Sequence, residues 1–172
     1  MSATAEAGRP SVPDRAALRE ARLEVEEFHY EYAAVLERGE IERWPDFFTE
    51  DAVYRLVARD NADSGLRLGL IYCEGRGMLK DRAYALKHTE MYAPRYLNLQ
   101  ITNVRVLSLD TSFIQAEANY LLLETLVDAP TRVQQVGKSY DRFQREDGRL
   151  LLKERLCVYD TVLIDGCIVF PV

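Results

Sequence analysis

The sequence predicts an α+β fold, with helices first and a long antiparallel sheet after them. Three observations carry this. From Asp14 to Arg38, the apolar residues Leu18, Val25, Phe28, Tyr32, Val35 and Leu36 recur at helical spacing, with charged residues on the opposite face. From Asn98 onward the period switches to two, in four runs: Asn98–Leu107, Ser112–Val127, Arg132–Gln144 and Leu150–Val162. Between the last two runs stands Asp147-Gly148, the dipeptide that tight hairpins favour because both residues tolerate positive φ. Strands that follow one another without intervening helices exclude a strand–helix–strand repeat.

The elements follow in order. Asp14 can cap the first helix and Gly39 can end it. A short second helix covers Ile41 to Phe48, limited by Pro45. Ala52 to Ala58 alternates as a strand, with Val53, Arg55 and Val57 on one face and Tyr54, Leu56 and Ala58 on the other. Asp60 to Gly65 reads as a loop, Leu66 to Cys73 as a short strand, and Gly75 to His88 as a helix carrying Met78, Leu79, Arg82, Ala83 and Leu86. Tyr92 to Tyr96, with Pro94, is irregular. Leu109-Asp110-Thr111, Asp128-Ala129-Pro130 and Glu146-Asp147-Gly148 supply the turns. Helices ahead of a long, curved sheet pack into its concave face, and Gly137 is placed to form a bulge or bend.

The 172 residues suit one domain, assigned to residues 14–172, behind a small, polar, Pro-containing tail over residues 1–13. A formal net charge of -6 argues against nucleic acid as a partner, because neutralising phosphate needs a basic face. No apolar run reaches the ~18 residues of a membrane span, and the first residues lack the apolar stretch of a secretory signal. Cys73, Cys157 and Cys167 form no disulfide framework, which points to reduced thiols in a cytoplasm.

Catalytic patterns are scarce. Two Cys and two His in paired C-x-H and C-x-x-H spacing, the ligands of a Rieske cluster, do not occur. The histidines are His29 and His88, in separate helices, short of the two His and a carboxylate that hold non-haem iron. Glu26-x-x-His29 is one half of the di-iron bundle motif without its second copy, so His29 reads as a structural helix histidine. Nucleotide loops and nucleophile elbows are absent, and Gly75-Arg76-Gly77 reads as a flexible helix start. A pocket between helices and sheet leaves Asp51, Tyr54, His88 and Tyr120 as candidate proton-transfer groups. Against this, Glu50 and Asp51 read as solvated acids of the turn into the first strand, and the tyrosines as core or interface aromatics.

Several segments in series carry a resemblance. They are Trp44-Pro45-Asp46-Phe47-Phe48-Thr49-Glu50-Asp51 with Tyr54-Arg55, then Asp60-Asn61, Gly65-Leu66, Met78-Leu79-x-Asp81-Arg82 and Ala85-Leu86-Lys87. Thr102-Asn103-Val104-Arg105-Val106, Asp147-Gly148-Arg149-Leu150, Lys153-Glu154-Arg155, Tyr159-Asp160-Thr161 and Phe170-Pro171-Val172 continue it. From about Phe28 to the end, the chain resembles the small (beta) subunits of aromatic-ring-hydroxylating oxygenases. Its tryptophan and Met-Leu segments are most similar to subunits of the terephthalate dioxygenase and salicylate 5-hydroxylase type. Where many members have Arg-His before the central strand, this chain reads Arg95-Tyr96-Leu97-Asn98.

The resemblance implies a cone of the NTF2-like (cystatin-like) class. It implies a large alpha subunit as partner, carrying a Rieske [2Fe–2S] cluster and a mononuclear Fe(II), in an α3β3 complex with neighbouring beta subunits. NAD(P)H would enter through reductase components. It also implies no catalytic, cofactor-binding or metal-binding residue in this chain. Two other readings of the same fold stay open. One is a free-standing dehydratase, isomerase or hydrolase using a pocket acid or histidine; the other is a binding or dimerising domain without chemistry.

Overall fold

The chain's structure is a computed structural model that describes residues 14–66, 68–89, 91–164 and 168–172. The expected tail over residues 1–13 and Cys167 lie outside the described residues.

Helix α1 spans Arg15–Glu37, and the Asp14 carboxylate accepts from the Ala16 amide at its start. Its buried stripe is Ala21, Val25, His29, Tyr32, Val35 and Leu36, so a histidine sits amid the apolar face. Ile41–Phe47 is a 3-10 helix rather than an α-helix. Pro45 has no amide to donate and disfavours a longer turn. Strand β1 spans Phe48–Ala58, α2 Arg59–Asp63, β2 Ile71–Glu74 and α3 Gly75–His88. Then come β3 Arg95–Leu109, β4 Phe113–Leu126, β5 Arg132–Glu146 and β6 Arg149–Tyr159.

The six strands form one sheet in the order β2-β1-β6-β5-β4-β3. Four of the five pairings are antiparallel, and β1 runs parallel to β6. The reason is topological. After β1 the chain leaves through α2, β2 and α3, reaches the far edge at β3, and winds back by hairpins until β6 meets β1. α1 packs on β3, while α3 packs on the 3-10 helix and β1. Between helices and sheet lies the core, with Trp44, Phe48, Tyr54, Leu79, Leu86, Phe143 and Leu152 almost fully buried.

Several local expectations are corrected. The stretch at 60–65 is not a simple loop, because Arg59–Asp63 closes one helical turn. The short strand covers Ile71–Glu74 and not the residues from Leu66, which face solvent at Leu66, Leu68 and Leu70. The last strand ends at Tyr159, and β3 begins at Arg95, inside the stretch expected to be irregular. Glu50 and Asp51 lie within β1, not in a turn before it. There the pairing slips: β1 advances from Phe48 to Val53 while β6 advances only from Leu152 to Glu154. A bulge of this kind re-aims side chains, and both carboxylates point to solvent.

Gly137 is not itself a bulge. Its register is regular, opposite Tyr120 and Tyr159, whereas the β4–β5 slip falls between Leu122 and Leu123. A Cβ at Gly137 would lie 2.2 Å from the Val158 carbonyl oxygen and 2.7 Å from the Tyr120 hydroxyl, so glycine is required by close approach. The Asp147-Gly148 hairpin forms as expected, with φ of 50° and 76°.

Candidate functional site

Deep in the cone, the inward faces of α1, β5 and β6 bring together His29, Asp141 and Arg155, all nearly inaccessible to solvent. Arg155 grips Asp141 with two parallel bonds, Nε to Oδ1 at 2.8 Å and Nη2 to Oδ2 at 2.9 Å. Ser139 Oγ donates to Asp141 Oδ2 at 3.1 Å, and the guanidinium lies 4.3 Å from the Tyr32 ring centre. Burial alone would lower the Arg155 pKa, but Asp141 holds it well above the ordinary value.

Arg155 Nη2 also lies 3.1 Å from His29 Nδ1. A guanidinium can only donate, so Nδ1 accepts and the ring proton sits on Nε2. That nitrogen is 3.6 Å from Asp141 Oδ2 and makes no hydrogen bond among the described residues. Burial, then the charge of Arg155, pull the His29 pKa down to about 3 against a partial lift from Asp141. The imidazole is therefore neutral, and its one lone pair is already taken. This arrangement suits a buried structural network more than a base awaiting substrate.

Beside it, Trp44 Nε1 donates to Tyr32 Oη at 2.8 Å, and the Trp44 ring meets Phe48 and Tyr54 edge-on at 5.4 and 5.3 Å. Burial pushes the Tyr32 hydroxyl and the Cys157 thiol each up to about 12, and the Tyr54 hydroxyl well above its usual range. None of these groups is poised as an anionic nucleophile at neutral pH.

The four candidates named from the sequence do not converge. Asp51 is outward and ion-pairs with Lys153, whose ammonium, through its hydrogen bond, holds the carboxyl below its usual range. Its neighbour Glu50 faces Arg76 across 3.8 Å in solvent. His88 lies on the outside of α3, stacked on Tyr84 at 4.4 Å and 3.4 Å from Glu42. Tyr54 and Tyr120 are buried, but their hydroxyls are engaged, Tyr54 with Val172 and Tyr120 with Gln135 Oε1 at 3.0 Å. The cluster that does form was missed in part. Arg155 shares the inward parity of Cys157 and Tyr159 on β6, and an arginine on an inward face demands an anionic partner. That was the available signal.

No group of three or more His, Cys, Asp or Glu suited to a metal ion occurs among the described residues. His29 stands against a guanidinium, and His88 pairs with a single carboxylate, Glu42, among the described residues, so neither fits a Rieske cluster or a mononuclear iron. No described helix is long and apolar enough to cross a membrane.

The surface is more suggestive. Leu66, Leu68, Leu70, Tyr72 and Met78 are exposed around the β2 edge. On the sheet face turned away from α1, Val136 stands opposite Leu121 and Tyr140 opposite Leu156, with Val133, Tyr96 and Leu107 also exposed. Large exposed apolar groups of this kind are found at interaction surfaces. Fold and site together define a cone-shaped α+β protein whose buried polar groups are engaged in a network and whose surface exposes a set of apolar side chains.

Comparison with known proteins places it. Residues 31–165 match the model of the family described as "Ring hydroxylating beta subunit". The anthranilate 1,2-dioxygenase small subunit of Burkholderia cepacia is 31% identical over 141 residues, covering 82% of this chain and 88% of that protein. Subunit beta 2 of the terminal oxygenase component of terephthalate 1,2-dioxygenase from Comamonas sp. is 29% identical, covering 87% and 97%. A solved structure from Novosphingobium aromaticivorans, assigned as the beta subunit of an aromatic-ring-hydroxylating dioxygenase, superimposes with a TM-score of 0.80. It is 32% identical and covers 87% of this chain and 95% of that one. The chain belongs to the ring-hydroxylating beta subunit family.

Proposed function

We propose that this chain is the non-catalytic small subunit of a terminal oxygenase that hydroxylates an aromatic, carboxylated compound in the cytoplasm. Its partner is a large alpha subunit that holds the Rieske [2Fe–2S] cluster and the mononuclear iron, in a complex of three alpha and three beta subunits. Electrons reach that complex from NAD(P)H through reductase components. The small subunit acts as one domain over residues 14–172 and supplies shape and stability to the assembly rather than a reacting group.

The observation that carries this reading is the state of the cone. Its buried charges are engaged, Arg155 with Asp141 and with the His29 ring, while a set of apolar side chains at the β2 edge and on the outer sheet face is exposed. Membership of the beta-subunit family supports it, as do relatives named for anthranilate and terephthalate, both aromatic acids. A dehydratase, isomerase or hydrolase reading would need a free pocket acid or histidine; Asp51 and His88 are outside, and the buried Asp141 and His29 are both engaged by Arg155.

The test is co-expression with a candidate alpha chain, followed by affinity purification through a tag on this chain. The expected result is a stable complex in equal subunit amounts, with a mass near three copies of each. Recovery of this chain alone, with alpha subunits that assemble and turn over without it, would sink the proposal.

A further inference from the structure

Residues 168–172 carry no regular secondary structure, yet Val169 and Val172 are buried in the core. Side chains from several elements hold them. The Val172 carbonyl accepts from Tyr32 Oη at 3.0 Å and Tyr54 Oη at 3.2 Å, with Cys157 Sγ at 3.6 Å. The Val172 amide donates to Tyr54 Oη at 3.0 Å. Arg82 Nη2 donates to the Val169 carbonyl at 3.0 Å, and the Phe170 ring meets Tyr92 edge-on at 5.4 Å.

Three side-chain donors from α1, β1 and β6 thus converge on a single carbonyl oxygen. Trp44 Nε1 binds the hydroxyl oxygen of one of them and orients it. Two desolvated phenols aimed at one point are costly unless an acceptor occupies that point. We propose that residues 168–172 are a tethered ligand, and that the cone of this chain is a binding pocket for a short apolar peptide segment presenting a carbonyl. The tether keeps this occupant at a high effective concentration, which excludes free peptide from the intact chain. This site is separate from the exposed apolar residues at the β2 edge and on the outer sheet face.

The test uses the chain shortened to end at residue 167 and the synthetic pentapeptide Ile-Val-Phe-Pro-Val, with titration calorimetry and thermal melting as readouts. The shortened chain binds the pentapeptide and melts at a temperature that rises with peptide concentration, while the full chain does neither. Tyr54→Phe in the shortened chain weakens binding roughly 5- to 100-fold, the loss of the two hydrogen bonds its hydroxyl makes to Val172. A folded shortened chain that ignores the peptide overturns the proposal. So does equal binding to the full chain, or a Tyr54→Phe variant that binds as well. If the shortened chain does not fold alone, it is refolded with the pentapeptide or with a scrambled sequence of the same residues. Recovery with the native order alone supports the proposal, and equal recovery, or none with either, overturns it. None of these outcomes depends on whether the alpha subunit binds.

Discussion

Trp44 is the largest of the fully buried side chains. Its ring is fully buried, touches Phe48 and Tyr54, and hydrogen-bonds Tyr32. Trp44→Ala should destabilise the fold by ~3–5 kcal/mol, the cost of emptying a large aromatic site. Urea denaturation checks this, and a loss below about 1 kcal/mol would mean that the site collapses around the change. His29 makes a different prediction. Its pKa is about 3 in the fold and 6.5 when unperturbed. Above 6.5 both states are neutral, so the residue adds no pH dependence. Between 6.5 and 3 the unfolded chain binds a proton that the folded chain refuses, so stability falls with pH by up to about 1.4 kcal/mol per unit. The facing groups are Arg155 and Asp141, and the imidazole is the one among them that is neutral in the fold. His29→Gln should flatten the dependence of the urea midpoint between pH 7 and 5; parallel curves for both proteins would contradict the assignment. At this scale the sequence was half legible. His29 and the aromatic run drew attention because their types are rare or bulky. Asp141 and Arg155 did not, because a charge in an alternating strand looks solvated until the inward parity of its neighbours is followed through.

Strands β1 and β5 show how elements set what single residues can do. In β5 the approach of β6 leaves no space at Gly137, where an added Cβ meets a carbonyl oxygen at 2.2 Å. Gly137→Ala forces the backbones apart and should cost at least ~1–3 kcal/mol, the range for overpacked sites. A thermal melt unchanged from wild type would show that β5 moves freely. In β1 the slip against β6 turns Asp51 outward to Lys153. Asp51→Asn should leave both the melting temperature and the hydroxylation rate of the assembled complex unchanged within error, because exposed ion pairs contribute little. A large rate loss in a normally assembled complex would make Asp51 a working acid after all. Element types and most boundaries were readable from periodicity: α3, the four long strands and the Asp147-Gly148 hairpin stand nearly where the pattern puts them. What periodicity could not supply was pairing. The parallel contact of β1 with β6 joins residues about a hundred positions apart, and the bulges that aim Asp51 follow from that contact. The turn of α2 was hidden by a loop-like composition, Asp60-Asn61-Ala62-Asp63, that also suits a single helical turn.

As a whole, the molecule holds one charged network within its apolar core and leaves a set of large apolar side chains exposed. Tyr96, Leu107, Val133, Val136 and Tyr140 on the sheet, and Leu66, Leu68, Leu70 and Tyr72 at its edge, are groups that a lone protein gains nothing by exposing. Family membership was legible in the order of short segments along the chain, several of which sit at structural corners such as the 3-10 helix and the last hairpin. The surfaces were not, since an outward tyrosine and an inward one differ only in parity. The central claim is that this chain assembles an oxygenase without performing its chemistry. It is tested most directly by measuring hydroxylation of an aromatic acid, with electron donors supplied, for this chain alone and after reconstitution with its alpha subunit. The account predicts no product from the isolated chain and full activity on reconstitution. Turnover by the isolated chain would contradict it.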